Sequence, residues 1–421
     1  MPIPPSLRAL RHRNYRLLFI GQLISLCGTW MQNTAQGWLV LRLTDSPLWL
    51  GIIAAAQAVP VLLLSLFAGT VADRLPKRQL MLATQTTMML SALLLAGLTL
   101  GHLIQPWHVL ILALVSGTAS AFEMPARQSF TIELVGREDL LNAIALDSIV
   151  MNGSRIVGPA LAGMVAAGIG EGPAFLVNGV SFVAALIGLR MMRLAPFVPP
   201  PAKSQHNQLA EGLAYVRTSP HVRRLLLQLT VLCAFSMAYI PLLPALARAT
   251  VGADALGYGI IASTNAAGAL IAALLITFAG DRLPRIGLRN VALLAYPIML
   301  CGFTQSHSYP AALLLIAAVG WCGITTLTLT NTLLQIAVPD HVRGRVMSLY
   351  VLIMVGFGQA AGVLLGAIAQ IVGSVTTTVA VWSAIGLALQ VWLTLGARPA
   401  AASDPLQPSE IRTAAGEGAK P

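Results

Sequence analysis

The sequence predicts an all-α integral membrane protein of about twelve transmembrane helices, arranged as two pseudo-symmetric six-helix bundles. Three observations lead there. Only 10% of the 421 residues are charged while 56% are hydrophobic, against roughly 25% charged in a soluble domain, so the chain could not cover itself with polar groups in water. Apolar runs of about 20 residues, the length that crosses a bilayer, recur along it. A block of the first half also returns in the second.

In order, the runs lie near 17–41, 48–71, 79–100, 107–132, 140–168, 173–192, 223–247, 256–279, 288–305, 309–335, 343–372 and 375–396. The first follows Arg8, Arg11, Arg13 and Arg16, a charged flank on a full-length span; a secretory signal has a shorter apolar core and a cleavage site. Arg74, Lys77 and Arg78 separate the second run from the third. Arg190, Arg193, Lys203, Arg217, Arg223 and Arg224 surround the connection after the sixth, and Arg282, Arg285, Arg289, Arg343 and Arg345 cluster around the later connections on the same side. The alternate connections hold Arg42, Arg248 and little else. An even number of spans puts both termini on one side, and the basic loops make that side cytoplasmic.

One connection is long enough to be a linker. Residues 194–224 begin with Pro199-Pro200-Pro201, which cannot continue a helix, and Ala210 to Arg217 has the pattern of an amphipathic surface helix. The expected organisation is a first bundle over 1–193, a cytoplasmic linker over 194–224, a second bundle over 225–397 and a disordered cytoplasmic tail over 398–421. The net charge of +11 is spread over these short loops, so no nucleic-acid partner is expected. Cys27, Cys233, Cys301 and Cys322 all lie in apolar runs without metal-ligand or redox spacing.

The repeat carries the organisation further. Asp73-Arg74-Leu75-Pro76-Lys77 after the second run recurs as Asp281-Arg282-Leu283-Pro284-Arg285 after the eighth, and the stretch from Leu134 to Leu146 aligns with Ala337 to Leu349. Both blocks are displaced by about 200 residues, the mark of parallel six-span repeats related by an axis along the membrane normal.

On these residues the chain resembles the major facilitator superfamily up to about Gly396. The most specific element is Gly69 followed by Asp73-Arg74 and the basic pair Lys77-Arg78. In the second copy Thr277 stands for the glycine and Ile286 for the last basic residue. The segments Asn14–Pro47 and Met124–Leu146 are similar to a bacterial branch of effector-secretion and siderophore exporters related to the enterobactin exporter. The resemblance implies that Gly69, Asp73, Arg74, Lys77 and Arg78 form a gating latch, closing the cytoplasmic end against the eleventh span. It also implies a monomer in a bacterial inner membrane. Gly158-Pro159 and Gly163 partly match a fifth-span signature of drug/proton antiporters, whereas the fourth-span arginine of that group is missing, with Ser116-Gly117-Thr118 in its place.

Gln22, Ser25, Thr29, Gln32, Asn33 and Gln36 on the first span recur at helical spacing and share one face. Lipid excludes such a face, so it turns toward a cavity or toward other helices. The substrate-cavity candidates are Gln22, Thr29, Asn33 and Gln36, with Asn152 and Arg155 on the fifth span and Asn265, Asn331, Gln335 and Gln359 in the second half. An arginine at span depth costs at least about 2.5 kcal/mol and points to function. At about 1.5 Å per residue, Asp147 lies roughly 10 Å and Arg155 roughly 22 Å along the fifth span, while Glu123, roughly 24 Å along the fourth, reaches the level of Asp147. Two carboxylates at one depth are candidates for proton coupling; the alternative is a structural Glu123–Arg127 bridge with Asp147 at the interface.

Enzyme classes fail on inventory. The seven histidines fall in loops or at span ends, and no phosphate-binding loop is present. No cofactor or metal is expected, and transport must draw on a gradient. The expected activity is proton-coupled export of an amphipathic small molecule, siderophore or drug, by alternating access, with protons and the lipid bilayer as the other partners. A lipid or lysolipid flippase and a transport-inactive receptor or scaffold are the alternatives.

Overall fold

The computed structural model describes residues 5–194, 208–279 and 284–395, and every regular element among them is helical. The first six spans are Arg13–Thr44, Pro47–Arg74, Lys77–Leu100, the two arms of the 64-residue helix Pro106–Ile169, and Gly172–Met191. The long helix breaks at Gly136 (φ 70°, ψ 179°), a backbone state open to glycine and strained for other residues. The fourth span therefore covers 106–135 and the fifth 137–169. After the helix Gln208–Thr218, the seventh span is irregular: Pro220–Val231, a π turn at Leu232–Ser236, a 3-10 turn at Ile240–Leu242 and then Leu243–Val251. Ala255–Ala279, Arg285–Thr304 and Tyr309–Ala337 follow as spans eight to ten. The eleventh is Asp340–Leu352 and Gly358–Val372 joined by a π turn at Ile353–Phe357, and the twelfth is Val375–Leu395.

Ten of the described helices are long and apolar enough to cross a membrane, counting Pro106–Ile169 as one. The first span, of 32 residues, is not among the ten. Its polar stripe lowers its hydropathy, and it is sheltered instead by the fifth and sixth spans that pack along it. The tail over 398–421, the stretch 195–207 of the linker and Asp281-Arg282-Leu283 of the second loop motif lie outside the described residues.

Arg289, counted from sequence among the charges flanking the ninth run, is a buried residue instead. The ninth span begins at Arg285, so Arg289 is one turn inside it and only 2% exposed. Its Nε donates to Thr330 Oγ1 (2.9 Å) and its Nη1 to Gln228 Oε1 (2.8 Å) and Asn290 Oδ1 (3.0 Å).

Small residues set how closely spans approach. Gly117 leaves room for the carbonyl of Gln57 on the second span, and in the second half Gly268 and Gly320 do the same for the backbones of Ala317 and Asn265. Between the halves, a Cβ on Gly259 would lie 2.5 Å from the Pro159 oxygen and one on Gly51 2.8 Å from the Gly362 oxygen. Likewise a Cβ on Gly366 would lie 2.6 Å from the Pro47 oxygen. These contacts fall at the starts of the second and eighth spans and toward the ends of the fifth and eleventh, which is the end of the molecule remote from the termini. At the end near the termini, a Cβ on Gly69 or Gly344 would meet nothing within 4 Å. The halves are thus sealed at the far end and parted at the near one.

Gly259→Leu would place a side chain in that seal. Overpacking of this kind costs about 1–3 kcal/mol and is relieved when the far end opens. In a background lacking the four native cysteines, an impermeant maleimide applied at the far face should label a cysteine at Ile53 at least about fivefold faster with this change. An unchanged rate would contradict the packing seal.

Candidate functional site

At mid-depth between the halves lies a cavity of about 230 Å³. The first half contributes Trp30, Asn33 and Gln36 from the first span, Gln57 from the second and Arg155 from the fifth. The second half contributes Tyr239, Pro241 and Pro244 from the irregular seventh span and Tyr258 and Asn265 from the eighth. Irregular backbone at this depth is tolerated where it lines a cavity, and the prolines remove N–H groups that the broken ladder would otherwise leave unpaired.

Arg155 is the only fully charged side chain in this wall, which holds no carboxylate. Its Cζ sits 5.4 Å from the centroid of the Trp30 ring, within cation–π range. Asn265 Nδ2 donates to Ile316 O (3.1 Å) and Tyr239 OH (3.3 Å), which fixes it across the cavity from Arg155. Trp38 and Tyr258 stack across the halves on the far side, with ring centroids 6.0 Å apart. Beyond them Arg248 pairs with Asp45, again across the halves.

A second cavity, of about 520 Å³, lies toward the near end and is walled by the first, fourth and fifth spans alone. It gathers Gln22, Arg127, Asp147, Ser148 and Asn152. Arg127 Nη1 donates to Gln22 Oε1 (3.1 Å). The Tyr15 hydroxyl lies 3.0 Å from both Asp147 Oδ1 and the Ala143 oxygen. Asn152 Nδ2 donates to Ser148 O (2.9 Å) one turn earlier.

The two carboxylates expected to approach each other are not brought together. Glu123 is buried and accepts from Thr84 Oγ1 (2.7 Å) and Gln85 Nε2 (2.9 Å) on the third span, whereas Asp147 is held by Tyr15 on the first. Glu123 does not bridge to Arg127 either, because that guanidinium turns to Gln22. The fourth span does carry an arginine lining a cavity, Arg127, but about ten residues, nearly three turns, from the Ser116-Gly117-Thr118 stretch where the family pattern would place it.

The polar stripe of the first span divides. Gln22 lines one cavity and Asn33 and Gln36 the other. Gln32 Oε1 accepts from Asn178 on the sixth span (2.7 Å), and Thr29 donates to its own helix at Ser25 O (2.9 Å). In the second half Asn265 alone of the four candidates lines either cavity. Gln335 Nε2 bonds Asn331 Oδ1 (2.6 Å), and Gln359 has a buried Oε1 without a protein partner. Trp30, Gln57, Tyr258 and Tyr15 were missed from sequence because aromatic and isolated amide residues in spans are mostly packing residues. Pro241 and Pro244 were the overlooked signal of the seventh-span break.

In the loop motif, Gly69 faces open space and Asp73 and Arg74 are exposed, so the latch implied by the resemblance is not engaged at these residues in this arrangement. Lys77 is buried at the head of the third span and pairs with Glu133 at the end of the fourth span. Arg78 Nη2 caps the sixth span at Arg190 O (2.7 Å). Close by, Asp139 at the head of the fifth helix is clasped by His12 Nε2 (2.7 Å) and by Arg8. The imidazole first and then the guanidinium hold its carboxyl below the usual carboxylate range.

Two groups of helices enclosing a mid-depth cavity, sealed at one end, define a multi-pass membrane transporter of the major facilitator class rather than an enzyme. The chain belongs to the transmembrane secretion effector family of that superfamily, whose model matches residues 5–413. It is 26% identical over 336 residues to the staphyloferrin A transporter of Staphylococcus aureus, covering 79% of this chain and 84% of that one. It is 27% identical over 361 residues to the multidrug efflux pump Tap of Mycobacterium tuberculosis (82% and 84%). With the enterobactin exporter EntS of Shigella boydii it shares 25% identity over 389 residues (90% of each). The fold superposes on the crystal structure of a nucleoside transporter NupG mutant with a TM-score of 0.74 at 12% identity, over 91% of this chain and 99% of that one.

The Asp45–Arg248 pair is largely exposed, with side-chain accessibilities of 77% and 45%, and exposed ion pairs contribute about 0–1 kcal/mol. Asp45→Asn should therefore raise far-face labelling at position 53 by less than about fivefold, well short of Gly259→Leu. A larger effect would make the ion pair, not the small-residue packing, the main bolt.

Proposed function

We propose that the protein is a proton-coupled exporter of an amphipathic small molecule of the siderophore or drug type, working by alternating access in a bacterial inner membrane with both termini in the cytoplasm. The observation that carries this reading is the cavity between the halves, whose only fixed charge is Arg155. One guanidinium over an indole, amide groups at Asn33, Gln36 and Asn265, and an otherwise apolar and aromatic wall suit a ligand with an acidic group on an apolar body. The basic loops at the near end favour a cytoplasmic location for it, which makes the present arrangement the loading state. The names of the relatives, a siderophore transporter, a multidrug efflux pump and a siderophore exporter, favour the same substrate classes and the outward direction.

In this reading the substrate enters from the near end, seats its acidic group on Arg155, and the halves rock about it while Gly69 and Asp73 engage the eleventh span. Asp147, which opens into the second cavity, is the leading proton carrier, and Glu123, enclosed by Thr84 and Gln85, is the second. The protein acts as a monomer within the lipid bilayer and uses no cofactor.

Reconstituted vesicles with an imposed proton gradient test this, using a panel of acidic dyes and metal-free siderophores. Arg155→Gln should lower transport of the acidic members at least about tenfold, since a charge-assisted hydrogen bond contributes about 1.5–3 kcal/mol. Asp147→Asn combined with Glu123→Gln should abolish gradient-driven uptake and leave passive exchange. Unimpaired gradient-driven transport by the double variant would overturn the proton assignment.

A further inference from the structure

The near-end cavity has a charge arrangement that the central one lacks. Its wall holds one full cation, Arg127 from the fourth span, and one full anion, Asp147 from the fifth, and no other charged group. The two line one cavity without closing into an ion pair, the guanidinium turning to Gln22 and the carboxylate to Tyr15. Each is steadied from the first span by a neutral group, Gln22 for the guanidinium and Tyr15 for the carboxylate. A guanidinium has five N–H donors and a carboxylate about four acceptor positions, so both keep capacity for a ligand. The rest of the wall combines hydroxyl and amide groups with a broad apolar surface that includes Leu18, Leu26 and Ile144.

We propose that this cavity is a binding site for zwitterionic amphiphiles, which place a negative group on Arg127, a positive group on Asp147 and an apolar chain along the wall. The charge logic excludes the simpler ligands. A plain organic anion meets Arg127 but is opposed by Asp147, and a plain cation meets Asp147 but is opposed by Arg127. A molecule carrying both signs gains at both ends. Asn152 in this wall is one turn from Arg155 in the central one, and Leu26 one turn from Trp30, so the two cavities are consecutive stations about 5 Å apart along the helices. This inference rests on the export reading and narrows its substrate class. It also supplies the exchange: protonation of Asp147 cancels its attraction for the positive group, so a proton and the ligand compete for one carboxylate.

Equilibrium dialysis of the full-length protein in nanodiscs of neutral lipid, with empty nanodiscs subtracted, tests it with 2-aminodecanoic acid, decanoic acid and decylamine. The three share one chain length and differ in charge at neutral pH. The zwitterion should bind at least about tenfold more tightly than either single-charge probe. Its affinity should fall as the pH is lowered and Asp147 takes up a proton, a measurement that needs no variant. Asp147→Asn should remove both the preference over decanoic acid and the pH dependence, and Arg127→Gln the preference over decylamine. Equal binding of zwitterion and decanoic acid, or a preference that survives Asp147→Asn in protein with an unchanged melting profile, would overturn the proposal. Arg155→Gln separates the two readings. If it weakens decanoic acid while no zwitterion preference exists, the near-end site fails and the central one stands. If it leaves every probe unchanged while the preference holds, the reverse is true.

Discussion

A polar group inside a bilayer has no water to turn to, and this constraint decides where nearly every charged and amide side chain of this protein can point. The few permitted outcomes are visible together. Glu123 is enclosed by Thr84 and Gln85, and Arg289 by Thr330, Gln228 and Asn290. Arg155, Arg127 and Asp147 instead line cavities. The first solution ties spans of one half together, and the second marks the cavities, the central one between the halves at Arg155 and the near-end one within the first half at Arg127 and Asp147. Which of them a residue adopts depends on the span it faces, because neighbours four apart such as Glu123 and Arg127 are near enough on the helix surface to pair, yet bond to different spans.

That dependence explains what could be read from the amino-acid sequence. The number, order and approximate limits of the spans follow from apolar length and loop charge, and the repeat of Asp73-Arg74-Leu75-Pro76 implies two related halves. Arg155, Asn33, Gln36 and Asn265 were recognisable as cavity residues because lipid gives them no other place. Periodicity could not say which flank of the fourth span Glu123 occupies, so depth alone suggested a meeting with Asp147 that the structure lacks. Nor does composition separate a flanking arginine from one buried a single turn inside a helix, hence the counting of Arg289 among the flanking charges. The seventh span shows the same limit, since its apolar run is continuous in sequence while its backbone is broken at Leu232–Ser236 and Ile240–Leu242.

Each half buries one ionisable side chain among neutral partners. Glu123 and Arg289 are each enclosed within their own bundle by neutral hydrogen-bonding groups, and neither has an ion-pair partner among the described residues. Burying an unpaired ion costs several kcal/mol even after relaxation. Each bundle is therefore cross-braced by a group that tolerates little displacement of the spans around it. Bundles stiffened in this way move as units, which is the mechanical requirement for rocking about a central site.

The far-end seal has a consequence for energetics. It consists of glycine backbones lying against carbonyls, contacts worth only about 0.1–0.2 kcal/mol per atom pair, joined by the Trp38–Tyr258 stack and one weak exposed ion pair. Such a closure can be undone by parting one aromatic stack and without stranding a buried charge. The balance between the two openings is thus shallow, and a differential affinity of one or two kcal/mol for a single ligand or proton is enough to reverse it.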